Sequence, residues 1–381
     1  MKKLLIVLLT LFLTACWDYR ELNEYAIVTG MAIDEVDNKY EVSLLLSNGK
    51  KQEDNKTQIK IYSGSGKTIS EAIKNISLTM PKKIYLNHLA IIIVSDKIAK
   101  KGVTPILDYL LREPQSYQNF NIVFSKDAKA KDILSIINPL SDYPSQNINE
   151  IIKINEKEQG RITNSSFNKL IATILLKGKH PIVNSIIILG NKSNGVKKEE
   201  VENSITSAYT KLDTIGIFKN DKLIEWSTVD ESIGINLLLN DVKNIYLEIP
   251  CQNNYITITT DKIKSKKTIQ KNKIKTVINI RGNINEVGCN IDINDSNEIN
   301  KIEKETKKIL YNYIEKAIIK AKNLETDIFG FGNLIYKKYP KFFESINNWD
   351  SYFKELDIEV ELNFKINKTN ALKQTIGELS K

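Results

Sequence analysis

The chain has 381 residues, of which 41% are hydrophobic and 27% are charged, and its formal net charge is +9. This length allows two or three domains with a sizeable core, and the composition is that of a globular protein rather than a disordered or fibrous one. The basic residues are scattered and form no recognisable nucleic-acid-binding motif, so nucleic acid is not an expected partner.

The start of the chain has the pattern of a bacterial lipoprotein. A basic start, an apolar run over residues 4–12 and small residues before Cys16 are typical of a secretory signal peptide. Residues 13–16 read Leu-Thr-Ala-Cys, a lipobox in which the thiol receives diacylglycerol. The apolar run is too short to span about 30 Å of hydrocarbon as a helix. The alternative is an ordinary signal peptide with a chance cysteine.

We therefore expect a cleaved signal peptide over residues 1–15 and a lipidated N-terminus with a polar tether over residues 16–25. The lipid on Cys16, with or without acylation of its amino group, would hold the mature protein at the outer face of the cytoplasmic membrane.

Residues 26–190 predict an N-terminal α+β domain, with a break near 140–160 that allows two subdomains. The polar, turn-rich stretch over 191–203 predicts a linker. Strand-like segments lie at about 26–34, 40–46, 58–62, 90–94, 121–125 and 181–189. Helical patterns lie at about 68–80, 96–101, 103–112 and 128–138, and two more lie within 144–177 with a break near 160–161.

Residues 204–381 predict a C-terminal α+β domain. Strand-like segments lie at about 204–210, 214–218, 244–264, 273–294 and 356–366, and helical patterns at about 231–241 and 297–324. The last helix carries an apolar stripe, so we expect it to pack on the preceding sheet, a partner-binding or membrane-lying helix being the alternative. Strands and helices do not alternate strictly, and the predicted fold class is therefore multi-domain α+β with mixed β-sheets flanked by helices.

Two cysteines remain once Cys16 carries lipid. Cys251 and Cys289 both lie in strand-like segments. Export permits a disulfide, but the spacing does not fix the geometry that a bridge needs. We expect two separate thiols, with pairing as the alternative.

One motif imitates a phosphate-binding loop. Residues 63–68 read Ser-Gly-Ser-Gly-Lys-Thr between a predicted strand and helix, but Ile61 stands where the motif needs its first glycine. That glycine is needed to turn backbone N–H groups toward phosphate. We expect a strand-to-helix turn in which Thr68 or Ser65 caps the helix.

The sequence contains no local signature of catalysis or metal binding. The histidines are His88 and His180, far apart in sequence, and neither has nearby ligands at metal-binding spacing. The nucleophile pattern Gly-x-Ser-x-Gly does not occur, and no local pattern recommends a carboxylate pair. We expect no cofactor, no metal and no enzymatic activity.

Glycines alternate with aromatic residues directly after the long helix. The block contains Asp327, Phe329, Gly330, Phe331 and Gly332. We expect Gly330 to end a helix in the left-handed conformation while the two phenylalanines fill the core. An aromatic ligand pocket is the alternative.

Several segments carry a resemblance to a known family. They are residues 16–23 (Cys-Trp-Asp-Tyr-Arg-Glu-Leu-Asn), 30–34 (Gly-Met-Ala-Ile-Asp), 84–89, 99–102, 111–113, 326–332 (Thr-Asp-Ile-Phe-Gly-Phe-Gly), 339–341 and 349–350. Across the mature length the chain resembles the C-subunit lipoproteins of spore germinant receptors, the Ger(x)C family.

The resemblance implies a non-enzymatic subunit on the outer face of the spore's inner membrane. Such a subunit works with an A subunit and a permease-like B subunit to trigger germination in response to small nutrients, and it is built from several α+β domains. Lipidated Cys16 is the one functional residue that transfers. The resemblance leaves open whether the subunit contacts the germinant. The alternatives are a solute-binding lipoprotein of a transporter and an envelope-remodelling lipoprotein enzyme.

Overall fold

The computed structural model describes residues 22–47, 59–113, 118–138, 140, 143–197 and 205–368. The predicted signal peptide and Cys16 lie outside these residues. In the described ranges the strands form two sheets, one of nine strands and one of four, both with helices packed on them. The predicted α+β class with mixed sheets is confirmed.

The large sheet is parallel at its centre and antiparallel at both edges. Its order is β3-β2-β1-β5-β6-β7-β8-β9, with the short β4 paired to the start of β1. The strands are β1 (Tyr25–Val36), β2 (Lys39–Ser47), β3 (Ile59–Gly66), β4 (Lys83–Tyr85), β5 (Ile91–Ser95), β6 (Asn121–Ser125), β7 (Ile182–Gly190), β8 (Ala208–Lys219) and β9 (Lys222–Trp226).

Helices cover both faces of this sheet. They are α1 (Ile69–Ser77), α2 (Asp96–Lys101), α3 (Thr104–Arg112), α4 (Ala130–Leu134), α5 (Pro144–Glu158), α6 (Phe167–Ile174) and α7 (Lys192–Gly195). β5 is buried throughout, as a central parallel strand must be. Because successive side chains point to opposite faces, Ile92 joins the core under α1, α2, α3 and α6, and Ile93 joins the core under α4 and α5.

The large sheet continues beyond the predicted linker at 191–203. After that segment β8 returns antiparallel to β7, and β9 pairs with β8. The predicted start of the C-terminal domain at residue 204 therefore does not coincide with the edge of the sheet. Ile215 and Ile217 of β8 nevertheless pack into the C-terminal core, so β8 belongs to the first sheet by hydrogen bonding and to both cores by packing.

The small sheet has the order β10-β11-β12-β13, with β13 parallel to β12 and the other pairs antiparallel. The elements of this half are α8 (Val229–Leu239), β10 (Tyr246–Cys251), β11 (Asn254–Ile269), β12 (Lys273–Val287), α9 (Ser296–Asn323), α10 (Phe331–Lys338), α11 (Pro340–Glu344), α12 (Trp349–Glu355) and β13 (Asp357–Lys368). The segment predicted as one strand over 244–264 is two strands, because the chain turns at Gln252 with a positive φ of 54°.

The long helix α9 packs on this sheet as predicted. Its apolar stripe includes Leu310, Ile314 and Ala317, all essentially inaccessible to solvent, and it shares one core with strands β10 to β13. α8 lies close against α9, since a Cβ on Gly234 would meet Ala317 Cβ at 3.0 Å.

The expectation of two separate thiols is wrong, because Cys251 and Cys289 form a disulfide. The cause is the register of the sheet. β10 ends at Cys251 and turns into β11, whose Ile256 pairs with Val287 at the end of β12. Cys289 follows Val287 by two residues and so reaches the end of β10, with a Cα–Cα distance of 6.0 Å.

Candidate functional site

The phosphate-loop imitation is a strand and a helix cap. Ser63 and Ser65 lie in β3 and pair with β2. Thr68 is the N-cap of α1, and its side chain accepts a hydrogen bond of 3.1 Å from the Glu71 amide. The predicted capping of the helix by Thr68 is confirmed. The glycines of the motif lie in β3, which pairs with β2, and do not form a phosphate-binding loop.

The aromatic block is organised around the carboxylate of Asp327, which is fully buried between α9 and α10. Oδ1 accepts hydrogen bonds from the amides of Gly330 at 2.8 Å and Phe331 at 3.1 Å. Oδ2 accepts from the amide of Gly332 at 2.7 Å and from Trp349 Nε1 at 3.1 Å. The carboxylate therefore caps the start of α10 and ties it to the start of α12.

Burial raises the pKa of Asp327, and these four donors oppose that rise. All four contacts come from N–H groups, which donate to an ionised carboxylate. Lys179 and Lys267 add positive charge near Asp327. Burial lowers the pKa of Lys267 to about 8, with a further contribution from Lys179. Lys267 Nζ lies 5.5 Å from the ring centroid of Phe331, at cation–π distance.

The two phenylalanines of the block are buried, as expected. Phe329 and Phe331 are 2% and 0% exposed, and their ring centroids lie 5.4 Å apart. Phe353 of α12 packs on Phe329 at 6.5 Å. These rings form part of the hydrophobic core of the C-terminal half, so the role of the aromatic cluster is core packing.

Both glycines of the block stand where a side chain does not fit. Gly330 has φ +73°, the left-handed conformation that we expected, but it precedes α10 instead of ending the long helix, which stops at Asn323. A Cβ on Gly332 would lie 2.6 Å from Trp349 Nε1 and 2.7 Å from the carbonyl oxygen of Gly178. The indole and the backbone before β7 therefore lie directly on Gly332.

The segment before β7 joins the block to the large sheet. The His180 amide donates to the carbonyl of Asp327 at 2.9 Å. His180 Nδ1 accepts from the Asn220 amide at 3.0 Å, so its proton lies on Nε2 and is donated to Asp350 Oδ1 at 2.8 Å. His180 thus connects the β8–β9 turn with α12. The other histidine, His88, is exposed and lies elsewhere.

Asp350 has a pKa below its usual value. Burial raises it, but the imidazole of His180 and the ammonium of Lys219, whose Nζ lies 3.6 Å from Oδ2, outweigh burial. The block is therefore a junction between the two sheets, built from one saturated carboxylate and one histidine bridge. Nowhere in the described ranges do three or more His, Cys, Asp or Glu side chains form a group that could hold a metal ion.

Sequence reasoning missed a second buried carboxylate. Asp34 in β1 is 3% exposed, and it accepts hydrogen bonds of 2.9 Å from the amides of Ala130 and Lys131 at the start of α4. Burial raises its pKa against these two donors. The sequence does show an aspartate near the end of an apolar strand, which could have indicated a buried carboxylate. Its hydrogen-bond donors, however, lie almost 100 residues later in the chain, so the sequence pattern could not identify them.

Comparisons with known proteins identify the family. The profile described as "Spore germination protein N-terminal domain" matches residues 18–188, and the profile described as "Spore germination B3/ GerAC like, C-terminal" matches residues 213–370. The chain therefore belongs to the Ger(x)C family of spore germination proteins, as its sequence indicated.

Relatives from two organisms match over most of their length. Spore germination protein KC of Bacillus subtilis (strain 168) is 26% identical, with 96% of this chain and 94% of the relative covered. Spore germination protein B3 of the same organism is 24% identical, with 93% of this chain and 94% of the relative covered. Spore germination protein GerQC of Bacillus cereus is 23% identical, with 96% of this chain and 98% of the relative covered.

The fold also has a counterpart among solved structures. The crystal structure of the GerBC protein superposes with a TM-score of 0.52 at 18% identity, covering 92% of this chain and 99% of that one. In the part of the chain that the structure describes, no helix is long and apolar enough to cross a membrane.

Proposed function

We propose that this chain is the lipid-anchored C subunit of a spore nutrient-germinant receptor. It sits on the outer face of the cytoplasmic membrane, which is the spore's inner membrane, and acts with an A subunit and a permease-like B subunit. The observation that carries the proposal is the match over residues 18–188 and 213–370 to two spore germination profiles, in chain order.

The start of the folded body supports the proposed anchor. Only eight residues, 17–24, lie between Cys16 and β1. At no more than about 3.6 Å per residue they span at most about 29 Å, so a lipid on Cys16 keeps the body close to the membrane. Tyr25 stacks on Tyr85 at 4.9 Å beside exposed Lys83. Tyrosine and lysine suit a lipid headgroup region.

In this proposal the subunit has no catalytic role and needs no cofactor. For the aromatic block this is supported by Asp327, whose two oxygens each accept two hydrogen bonds from protein N–H groups. A carboxylate satisfied in this way holds α10 and α12 in place and has no lone pair left for a substrate.

The test is membrane fractionation with metabolic lipid labelling of the full-length chain and its Cys16→Ser variant. We expect the wild-type protein in the membrane fraction with label, and the variant without label and released from the membrane. Lys222→Ser is the control, because it changes an exposed residue and leaves all three cysteines in place. Undiminished labelling and retention of Cys16→Ser would contradict the proposed anchor.

A further inference from the structure

A cavity of about 190 Å³ lies between the large sheet, α6 and the end of α8. Its floor is apolar, formed by Ile122, Ile182 and Val183 at the ends of β6 and β7 with Leu170 and Leu239 from two helices. The rest of its lining, here called the wall, is polar and is formed by the chain entering α6 together with Lys179 and Asp241. The cavity is therefore amphipathic, with one wall suited to a charged group and one suited to a short hydrocarbon.

Most polar groups of the wall already have partners. Asp241 pairs with Lys169 and accepts from Thr163 Oγ1 at 3.2 Å. Asn164 donates to Glu156 at 2.6 Å and accepts from the Ser166 amide at 3.0 Å. These side chains therefore have protein partners and do not need a ligand in the cavity.

Two donors on the wall are left over. Within the described ranges the ammonium of Lys179 and the hydroxyl of Ser166 make no hydrogen bond or ion pair. The charges of Lys169 and Asp241 cancel, so the wall keeps one net positive charge, on Lys179. Burial lowers the pKa of Lys179 and Lys169 adds to this lowering, while the more distant carboxylates of Asp327 and Asp241 oppose it.

The position of Lys179 is fixed by the aromatic block. A Cβ on Gly330 would lie 2.8 Å from Lys179 Cδ and 3.4 Å from Cε, so the stem of the lysine packs directly over this glycine. The stem of Lys179 is therefore held beside the cavity by packing, although its ammonium makes no ion pair among the described residues.

We propose that this cavity binds a small aliphatic carboxylate. The carboxylate pairs with Lys179 and accepts a hydrogen bond from Ser166, and the hydrocarbon lies on the floor of Ile122, Ile182 and Val183. The volume equals that of roughly six water molecules at about 30 Å³ each, which suits a small ligand with a short hydrocarbon. An inorganic anion would leave the apolar floor unused.

The test is a ligand-detected NMR titration of the mature lipoprotein in detergent at constant ionic strength. The probe is isobutyrate, isobutyramide is its uncharged counterpart of the same shape, and inorganic phosphate is the anion without hydrocarbon. We expect saturable binding of isobutyrate, with at least tenfold weaker binding of isobutyramide and of phosphate.

Three variants locate the site. Lys179→Met keeps the stem over Gly330 and removes the charge, and we expect the Kd for isobutyrate to rise about tenfold or more. Ser166→Ala should raise it about two- to fivefold. Lys222→Met removes an exposed lysine away from the cavity and should leave it unchanged. Near-UV circular dichroism verifies folding, and Ser166→Ala still tests the site if Lys179→Met misfolds.

Absence of saturable isobutyrate binding would overturn the proposal. So would equal binding of isobutyrate and isobutyramide, a preference for phosphate, or a Kd that neither Lys179→Met nor Ser166→Ala changes. Because the titration uses the isolated subunit, its outcome is separate from whether the chain assembles with A and B subunits.

Discussion

Trp349 Nε1 donates a hydrogen bond of 3.1 Å to Oδ2 of Asp327, a fully buried carboxylate 22 residues earlier in the chain. The same oxygen accepts from the amide of Gly332, on which the indole rests. One carboxylate thus fixes the start of α10 and the position of α12 at once. This contact is central to the junction between the two sheets.

Asp327→Asn should destabilise the protein by at least about 2 kcal/mol. The substitution removes the charge and directs an amide NH2 toward a ring of N–H donors, leaving buried donors unsatisfied. Urea unfolding of the mature protein measures the loss. Asp108→Asn is the control, since its partner Arg112 forms an exposed i,i+4 pair at 3.0 Å and such pairs contribute little. Equal midpoints for the two variants would show that Asp327 is not a structural carboxylate.

Phe331→Ala should act through folding. Truncating a fully buried phenylalanine costs about 3–5 kcal/mol, so we expect a lower melting temperature, a lower subunit level and loss of germination together. Thermal unfolding, immunoblotting and germination assays are compared in one strain series. If Phe331→Ala kept its melting temperature and its level but failed to germinate, the block would be a docking surface for another subunit.

The bridge between His180 and Asp350 should make stability depend on pH in acid. The pKa of Asp350 is lowered in the folded protein, so its contribution is present above its unfolded value and is lost as pH falls through the folded value. The difference in unfolding free energy between wild type and Asp350→Asn should therefore shrink between about pH 5 and about pH 3. A difference that stays constant or grows over this range would contradict the proposed direction.

Breaking the disulfide should lower the stability of the C-terminal sheet. The bridge closes a loop with a sequence separation of 38 residues, for which the expected loss is about 2–4 kcal/mol. Mass spectrometry of the protein isolated from spore membranes without reductant should find Cys251 and Cys289 joined, and Cys289→Ser should melt at a lower temperature. Two free thiols in the isolated protein, or an unchanged melting temperature on reduction, would contradict this account.

Local pattern was enough to predict many elements. The wholly apolar run of β5 predicted a buried central strand, the stripe on α9 predicted a helix packed on the sheet, and Thr68 was recognisable as a cap. Each of these depends on neighbours a few residues away, where side-chain spacing alone carries the information.

The missed features all depend on contacts between distant residues. The disulfide needed the register of β11 on β12, and the placement of β8 needed its pairing with β7 across the predicted linker. Predicting the role of Asp34 required the position of α4, and predicting the cavity at Lys179 required the packing of α6 and α8 against the large sheet. Spacing along the chain does not encode these distances, although the resemblance identified the family that the two profiles match.

The most direct test of the account is recovery of the subunit with its partners from spore membranes. The tagged full-length chain is purified in mild detergent after cross-linking, with Cys16→Ser and an untagged strain in parallel, and proteins are identified by mass spectrometry. We predict that an A subunit and a multi-span, permease-like B subunit are recovered with the wild-type chain and are depleted with Cys16→Ser. Recovery of neither subunit with a well-folded, membrane-bound wild-type chain would contradict the assignment as a receptor C subunit.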